Sequence, residues 1–245
     1  MSSSLPYITT VNLGLTSYKP TWELQRKIFQ LRADKMIPDV LLLNEHRHVY
    51  TLGKSSDNNH LLANDIELKS SGAEVFFIDR GGDITYHGPG QLVVYPIFDL
   101  NQYYLDIHRY LRDLEEVIIQ TLADFGVRSH RDEKYTGVWV GNEKIAAIGV
   151  KVSRWVTMHG LALNVNTDLS YFDRIIPCGI FHKGVTSLQR LLDKPIAMDQ
   201  VSGRLSVHIG GVFGARVVEQ QYDEFFESLS HFGMENIECH QAANR

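Results

Sequence analysis

The sequence predicts an α+β fold built on a mainly antiparallel sheet. Short apolar runs typical of strands alternate along the chain with amphipathic segments typical of helices. We take the connections between neighbouring strand-like runs to be too short for parallel crossovers, which need about a dozen residues. The composition, with 44% hydrophobic and 22% charged residues, is that of an ordinary globular protein.

Strands are predicted where β-branched, aromatic and other apolar residues cluster in short runs. In chain order these are residues 7–15, 39–43, 49–52, 74–79, 91–98, 138–140, 144–153 and 156–165. A first helix is predicted to start near Pro20 and to end before Pro38. Further helices are predicted over residues 105–125, 198–213 and 222–232.

The length of 245 residues fits one large domain or two small ones, since a domain averages about 150 residues. No low-complexity linker and no internal repeat divides the chain. We therefore expect a single domain over residues 1–245, with a small helical C-terminal portion from about residue 195 as an option.

Charge and targeting signals exclude several functional classes. The net charge of −5 argues against a general nucleic-acid binder, which needs a basic surface for phosphates. The N-terminus lacks the basic and apolar regions of a secretory signal, and no apolar run reaches the roughly 18 residues that span a bilayer. With only two cysteines, Cys178 and Cys239, we expect a reduced cytoplasmic protein that contacts neither nucleic acid nor membrane.

The most unusual segment is residues 80–91, which place four glycines in twelve residues between two predicted strands. Glycines allow a backbone to approach a ligand closely, although an ordinary turn would have the same composition. Arg80, Tyr86 and His87 beside the glycines favour a binding site. Neither the dinucleotide nor the P-loop motif is present.

Two further residues could carry chemistry. Lys144 lies on a predicted strand and shares a face with Ala146 and Ile148, so partial burial would favour a neutral amine suited to base work. Cys178 is framed by Pro177 and Gly179, which suits an exposed, held thiol. The alternatives are a surface lysine and a structural cysteine.

The pair His46 and His48 resembles the start of a metal site, but no third ligand follows at a characteristic spacing. On a strand the two side chains would share one face. We therefore expect them to line a pocket or its rim, with no metal bound.

Four ordered motifs together resemble the lipoyl(octanoyl) transferase family. They are residues 80–91, 144–149, 159–164 and 177–179, with 34 positions between Lys144 and Cys178 and with Gly184, Val185, Thr186 and Ser187 soon after the cysteine. The resemblance covers residues 40–192. It implies the fold of biotin and lipoate protein ligases, which is a mixed sheet flanked by helices.

The resemblance also implies an activity without a cofactor or a metal. Members transfer an octanoyl group from octanoyl-acyl carrier protein to a lysine of lipoyl domains, those of 2-oxoacid dehydrogenase E2 subunits and of the glycine cleavage H protein. Cys178 would carry the acyl group as a thioester, and Lys144 would activate the thiol and move protons. The implied acyl pocket consists of Arg80, Gly81, Gly82, Asp83, Ile84, Thr85, Tyr86, His87, Ala147, Ile148, Gly149, Gly160, Leu161 and Ala162.

The residues fit that chemistry, because a thioester donor needs no ATP step and hence no phosphate loop. Backbone N–H groups near residues 147–149 or at Gly179 could stabilise an oxyanion. Ile148, Leu161 and Leu163 are candidate walls for an eight-carbon chain. An acidic acyl carrier protein would need a local basic patch, for which the candidates are Arg47, Lys54, Lys151, Arg154 and Lys183.

Three alternatives stay open from the sequence. An ATP-dependent lipoate- or biotin-protein ligase of the same fold would not need a nucleophilic thiol at Cys178. An octanoyl amidotransferase would differ only in its donor. A catalytically silent acyl-binding module would use the pocket without Lys144 and Cys178.

Overall fold

The computed structural model describes residues 5–176 and 183–232. Its strands are β1 (Tyr7–Thr16), β2 (Asp39–His46), β3 (Val49–Leu52), β4 (Glu74–Phe77), β5 (Ile84–His87), β6 (Gln91–Ile97), β7 (His130–Arg131), β8 (Val138–Val140), β9 (Glu143–Ser153), β10 (Val156–Asn164), β11 (Gly184–Val185) and β12 (Arg216–Glu219). Its α-helices are α1 (Tyr18–Ala33), α2 (Asp65–Ser71), α3 (Ile107–Asp124), α4 (Leu188–Leu192), α5 (Met198–Phe213) and α6 (Tyr222–Ser230). Short 3₁₀ helices cover Asn58–His60, Leu100–Gln102 and Leu169–Arg174.

The strands of the described residues form a large sheet and a small one. The large sheet has the order β12-β1-β2-β6-β10-β9-β8-β7, and β11 also pairs with β9. The small sheet has the order β4-β3-β5. Most pairs of the large sheet are antiparallel, which confirms the predicted mixed, mainly antiparallel α+β fold.

Parallel pairs nevertheless occur where the chain has room for a crossover. Strand β1 lies parallel to β2, because α1 connects them, and parallel to β12, which follows α5. In the small sheet β3 and β4 are parallel because α2 intervenes. Strand β11 is also parallel to β9. The prediction that connections exclude parallel pairing was therefore wrong at these four pairs.

Helices cover both faces of the large sheet. On one face α3 and α5 pack on Ile8, Leu41 and Val94. On the other face α1 and α6 pack on Val11 and Leu42. Successive residues of a strand point to opposite faces, so a sheet covered on both sides reads as the continuous apolar runs seen in the sequence.

The predicted strands and helices are all present, with ends that shift by a few residues. The helical C-terminal portion from about residue 195 does not stand apart, because Val201, Leu205 and Ile209 of α5 belong to the same core as α3. The sequence analysis missed strands β5, β7, β11 and β12 and helices α2 and α4. None of the described helices is long and apolar enough to cross a bilayer.

Strand β10 is irregular beside Gly160. Pairing with β6 extends from Asn164 to Leu161 and stops there. A Cβ at Gly160 would lie 2.1 Å from the Val94 carbonyl oxygen and 2.6 Å from Cδ of Pro96. The glycine thus allows an approach of two backbones that no other residue permits.

We expect Gly160→Ala to lower the free energy of unfolding by about 1–3 kcal/mol, because backbone and not a flexible side chain would have to move. Gly211→Ala on α5 is the matched control, since nothing lies within 4 Å of a Cβ there. It should raise stability by about 0.5–1 kcal/mol through helix propensity. Urea unfolding of both variants measures this, and equal effects would contradict the packing argument.

Candidate active site

A cavity of about 430 Å³ lies between the small sheet and strands β9 and β10 of the large one. Its volume is within the range of small-molecule sites, about 300–1,000 Å³, and its wall is mainly apolar. The site residues predicted from the sequence that line it are Arg80, Gly81, Gly82, Asp83, Ile84, Thr85, His87, Lys144, Ala147, Ile148, Gly149, Gly160, Leu161 and Ala162. The structure thus brings three separate sequence motifs to one wall.

Cys178 is the site residue that this geometry does not address, because it lies outside the described residues. The same holds for Pro177 and Gly179 of its motif. The chain is described again from Lys183 onward, and Val185 of β11 lines the cavity. Strand β11 pairs with β9 so that Val185 stands beside Lys144.

Two residues predicted at the pocket lie elsewhere. Tyr86 stacks on Tyr171 with 4.8 Å between ring centroids, and its hydroxyl is 2.8 Å from Nδ1 of His48. It lies behind the wall, because successive side chains of β5 point to opposite faces and Tyr86 points away from the face of Thr85 and His87, which line the cavity. Leu163, the expected third apolar wall, is fully buried in the core beneath α3.

Arg80 fastens the glycine-rich segment to the small sheet. One guanidinium nitrogen donates to the Thr51 carbonyl oxygen at 2.6 Å and to the Thr51 hydroxyl at 3.0 Å. The other donates to the Gly81 carbonyl oxygen at 3.0 Å. With 7% of its surface exposed, Arg80 acts as a brace for the backbone of the wall.

Gly149 lets that segment lie directly on strand β9. The Gly81 N–H donates to the Val150 carbonyl oxygen at 2.9 Å. A Cβ at Gly149 would stand 2.9 Å from the Gly81 carbonyl oxygen and 3.0 Å from Cδ of Arg80. The glycines of the two motifs therefore serve one close contact between the sheets.

His159 has a left-handed backbone, with φ of 60°, next to the irregularity at Gly160. Its N–H donates to the Gln25 side-chain oxygen at 3.1 Å, and its Nε2 lies 2.8 Å from Asp79 Oδ1. Asp79 also accepts from Lys151 Nζ at 2.6 Å. These two partners hold the pKa of the Asp79 carboxyl well below its usual range, and burial lowers the pKa of His159.

Three of the five cations predicted for a basic docking patch have acidic or amide partners, and the patch itself stays a prediction. Lys151 is paired with Asp79, and Lys183 forms an ion pair with Asp132. The Arg154 guanidinium donates to Gln30 at 3.0 Å and contacts Asp34 at 3.4 Å. Because these cations already have acidic or amide partners, they do not form a free positive surface.

Lys144 lines the cavity and is buried, with 8% of its surface exposed. Its Nζ lies 4.9 Å from the centroid of the Trp139 ring. Lys183 Nζ lies 4.3 Å from the same ring. An aromatic face stabilises a nearby ammonium electrostatically, so Trp139 holds two cations beside the cavity.

His46 and His48 do not share a face, because β2 ends at His46 and the chain turns. His46 is fully buried, with Nε2 2.6 Å from the Tyr95 hydroxyl, and burial lowers its pKa to about 3. His48 stacks on Tyr171 at 4.3 Å. Neither lines the cavity, which corrects that prediction, and residues 5–176 and 183–232 contain no group of three acidic, His or Cys side chains placed to hold a metal.

Several lining residues were not predicted. They are Tyr18, Gln91, Val93, Tyr95, Ile107, Leu111, Lys134, Tyr135, Thr136, Val150, His159, Asn164, Phe172 and Val185. Gln91, His159 and Asn164 stand inside the motifs already recognised, so their polarity was the available signal. Val150 follows the 144–149 motif directly, and Val185 belongs to the segment already noted after the cysteine. The others come from α1, α3, β6, the loop before β8 and the 3₁₀ helix Leu169–Arg174, where nothing in the sequence indicates proximity to the motifs.

Comparison with known proteins gives the family. Residues 17–210 match the family described as the lipoyl protein ligase A/B catalytic domain, which is most of the chain. The chain belongs to this family. The family description names ligases, so the names of individual relatives are informative.

Those relatives are named octanoyltransferases. One from Flavobacterium johnsoniae is 51% identical over 224 residues, covering 84% of this chain and 97% of the relative. One from Rubrobacter xylanophilus is 57% identical over 187 residues, covering 76% and 84%. One from Caldicellulosiruptor bescii is 50% identical and covers 91% and 98%.

Solved structures of lipoate ligases share the fold. Lipoate-protein ligase A bound with ATP gives a TM-score of 0.70 at 15% identity, with 95% of each chain covered. The bipartite lipoate protein ligase of Thermoplasma acidophilum gives 0.70 at 15% identity, with 94% and 93% covered. The predicted relation to the lipoate ligase fold is therefore confirmed.

Buried neutral histidines predict that stability falls in mild acid. Burial lowers the pKa of His46 to about 3 and that of His87 to about 4, below the unfolded value of about 6.5. A group with a lowered folded pKa stabilises the fold above its unfolded pKa, and that contribution is lost as the pH falls toward the folded pKa. The window of loss is therefore pH 6.5 to about 4.

Between pH 7 and pH 4.5, the free energy of unfolding of His46→Gln should fall by about 1–3 kcal/mol less than that of the parent. The reason is that glutamine takes up no proton on unfolding. Urea unfolding at both pH values measures the difference. His108→Gln, at an exposed position of α3, is the control and should follow the parent. Parallel pH profiles for the parent and the His46 variant would contradict the argument.

Proposed function

We propose that this protein is an octanoyltransferase, which moves an octanoyl group from octanoyl-acyl carrier protein to a lysine of lipoyl domains. The observation that carries the proposal is the mainly apolar cavity with a buried lysine, Lys144, in its wall. Relatives that are named octanoyltransferases and have 50–57% sequence identity support the same activity. Lipoyl-domain lysines as acceptors agree with the lipoate ligase fold.

Cys178 is the nucleophile of the proposed reaction. The thiol proton of Cys178 rests on Lys144 as an ammonium, and the Cys178 thiolate attacks the carbonyl carbon of the donor thioester. The donor carbon–sulfur bond then breaks, and the departing thiolate takes the proton from Lys144. This step leaves an octanoyl thioester on Cys178 and a free donor thiol, with no oxidant and no ATP consumed.

In the second step the amine of the acceptor lysine attacks the Cys178 thioester. An amide bond forms, the Cys178 thiolate leaves, and the proton released by the amine returns through Lys144 to the sulfur. Covalent storage of the acyl group separates the encounters with two protein substrates. Backbone N–H groups near residues 147–149 are candidates to stabilise the oxyanion of both tetrahedral intermediates.

The walls of the cavity suit a saturated acyl chain. Ile148 and Leu161 line it together with Val93 and Ala162, and the Arg80 guanidinium in the same wall is engaged with Thr51. Each methylene that enters such a site contributes about 0.8 kcal/mol. A cavity of about 430 Å³ then limits the length of chain that gains this energy.

We expect Cys178 to form an octanoyl thioester with octanoyl-acyl carrier protein in the absence of ATP, seen as an octanoyl mass increase on the intact protein. Cys178→Ser should stay folded and lose turnover by at least about a thousandfold, since a hydroxyl is a poor nucleophile at neutral pH. Cys239→Ser is the control and should react as the parent does.

Three kinds of outcome would overturn the assignment. An adduct found on Cys239, or one that resists hydroxylamine, would exclude a Cys178 thioester. A requirement for ATP together with free octanoate would instead identify a ligase of the same fold. Equal transfer from an octanoylated lipoyl domain and from the carrier protein would identify an amidotransferase.

Lys144→Ala should fold normally but transfer far more slowly, because the thiol loses the ammonium that favours its thiolate. The measurement is the alkylation rate of Cys178 against pH, with Cys239 replaced by serine. The profile of the variant should move to higher pH, while Lys69→Ala, at an exposed position of α2, should match the parent. Superimposable profiles for Lys144→Ala and the parent would assign activation to another group.

A further inference from the structure

A continuous chain of buried hydrogen bonds connects three of the sequence motifs behind the cavity. It contains Arg80, Thr51, His87, Gln91, Asn164 and Thr186, and we call it the polar chain. Arg80 donates to the Thr51 hydroxyl at 3.0 Å, and that hydroxyl lies 3.4 Å from Nε2 of His87. Nδ1 of His87 lies 2.8 Å from Gln91 Oε1.

The second half of the polar chain crosses from β6 to the segment that follows Cys178. Gln91 Nε2 donates to Asn164 Oδ1 at 2.9 Å, and the two residues are direct cross-strand partners. Asn164 Nδ2 donates to the Thr186 carbonyl oxygen at 3.0 Å. Every member is at least nine-tenths buried, so water does not compete for these bonds.

Backbone carbonyls fix the direction of both amides. Gln91 Nε2 lies 3.2 Å from the Tyr86 carbonyl oxygen, which accepts only, so the nitrogen must point there. Asn164 Nδ2 is fixed in the same way by the Thr186 carbonyl oxygen. Gln91 Oε1 therefore faces His87, and an oxygen that accepts requires the proton to be on Nδ1 of His87.

The other end of the polar chain is fixed by Arg80, whose guanidinium only donates. The Thr51 hydroxyl accepts from Arg80, so its own proton is available for the lone pair on His87 Nε2. His87 is thus neutral and in a single tautomer. Burial lowers its pKa to about 4, and the electrostatic interactions with Arg80 and His159 act in the same direction.

Thr186 joins the polar chain to the catalytic lysine. Its N–H donates to the Lys144 carbonyl oxygen at 3.0 Å, while its carbonyl oxygen accepts from Asn164. Thr186 lies eight residues after Cys178 in the sequence. The N–H of Thr186 is therefore held by β9, and its carbonyl oxygen is held by the polar chain.

We propose that Gln91 and Asn164 are positioning residues, which hold the segment after Cys178 in register with Lys144 through a hydrogen-bond chain that has only one allowed direction. The proposal rests on the proposed function for its catalytic consequence. Its structural part, the tautomer of His87, does not. A reversed amide at either residue would place oxygen against oxygen at 2.9–3.2 Å, and the fixed ends allow no shift that relieves it.

Isosteric carboxyl substitutions test the direction. Gln91→Glu and Asn164→Asp each remove one donor and keep the shape, and we expect kcat for octanoyl transfer to fall about ten- to a hundredfold with KM for the donor nearly unchanged. Asn166→Asp is the matched control, because Asn166 also donates to a backbone carbonyl, that of Ile196, but stands outside the polar chain. It should retain the parent kcat.

The double variant Gln91→Glu with Asn164→Asp separates a chain from two independent contacts. Residues that act through one network are not additive, so the double variant should lose about as much as the worse single one. Losses that multiply would overturn the proposal. A fall in kcat for Asn166→Asp equal to that of Asn164→Asp would also overturn it, since any buried amide would then suffice.

A second measurement is independent of activity. The ¹⁵N shifts of the imidazole should show His87 as the Nδ1–H tautomer, with no titration above pH 5 in the parent. In Gln91→Glu the new carboxylate should raise the pKa of His87 above 5. It acts against Arg80 and His159, which face His87, and against the His46 ring, whose centroid lies 6.0 Å from that of His87.

The two measurements distinguish the failures. If the parent transfers no octanoyl group but His87 has the Nδ1–H tautomer and the Gln91→Glu shift, the proposed function fails while the polar chain stands. An Nε2–H tautomer of His87 in an active parent would overturn the polar chain alone. Normal kcat in both carboxyl variants would overturn the positioning role.

Discussion

The cavity depends on one close contact, that between the Arg80–Gly81 backbone and strand β9. Gly149 on β9 leaves the space, and its direct cross-strand partner on β10 is Gly160, which leaves space for β6 on its other side. The Gly81 N–H and the Val150 carbonyl oxygen join the two sheets at this point. Side chains at either glycine would separate the layers, so the wall exists because the sheet lacks side chains there.

Charge around the cavity is balanced by short local pairs. Asp79 is matched by His159 and Lys151, and Asp83 lies 2.5 Å from Nδ1 of His60. Burial keeps His87 neutral at physiological pH. Pairing of this kind lets a mainly apolar wall contain polar residues, because burial of a polar or charged group costs most when the group lacks a partner. Lys144 lines the same cavity and lies beside the Trp139 ring.

Sequence reasoning predicted the large elements because their signals are local. Apolar runs gave the strands of the covered sheet, and Met198–Phe213 was predicted with the observed bounds. Strand β5 was missed because it lies inside residues 80–91, where the glycines indicate a loop, and its pairing with β3 is set by the rest of the fold. Helix α2 had a readable signal, the capping box of Asn64 and Glu67, that its weak apolar pattern concealed.

For the site residues, the sequence predicts which residues take part but not the direction in which each side chain points. The motifs identified which residues meet at the cavity, but Tyr86 and Leu163 point away from it, because strand alternation and register decide the face. Lys151 was expected to be exposed and instead meets Asp79, a contact between residues 72 positions apart. The same limit applies to Gln91, whose donor and acceptor ends become defined only when the Tyr86 and Thr186 carbonyls are in place. A buried amide specifies a direction as well as a contact, so its role is set by tertiary structure even where its identity is set by a motif.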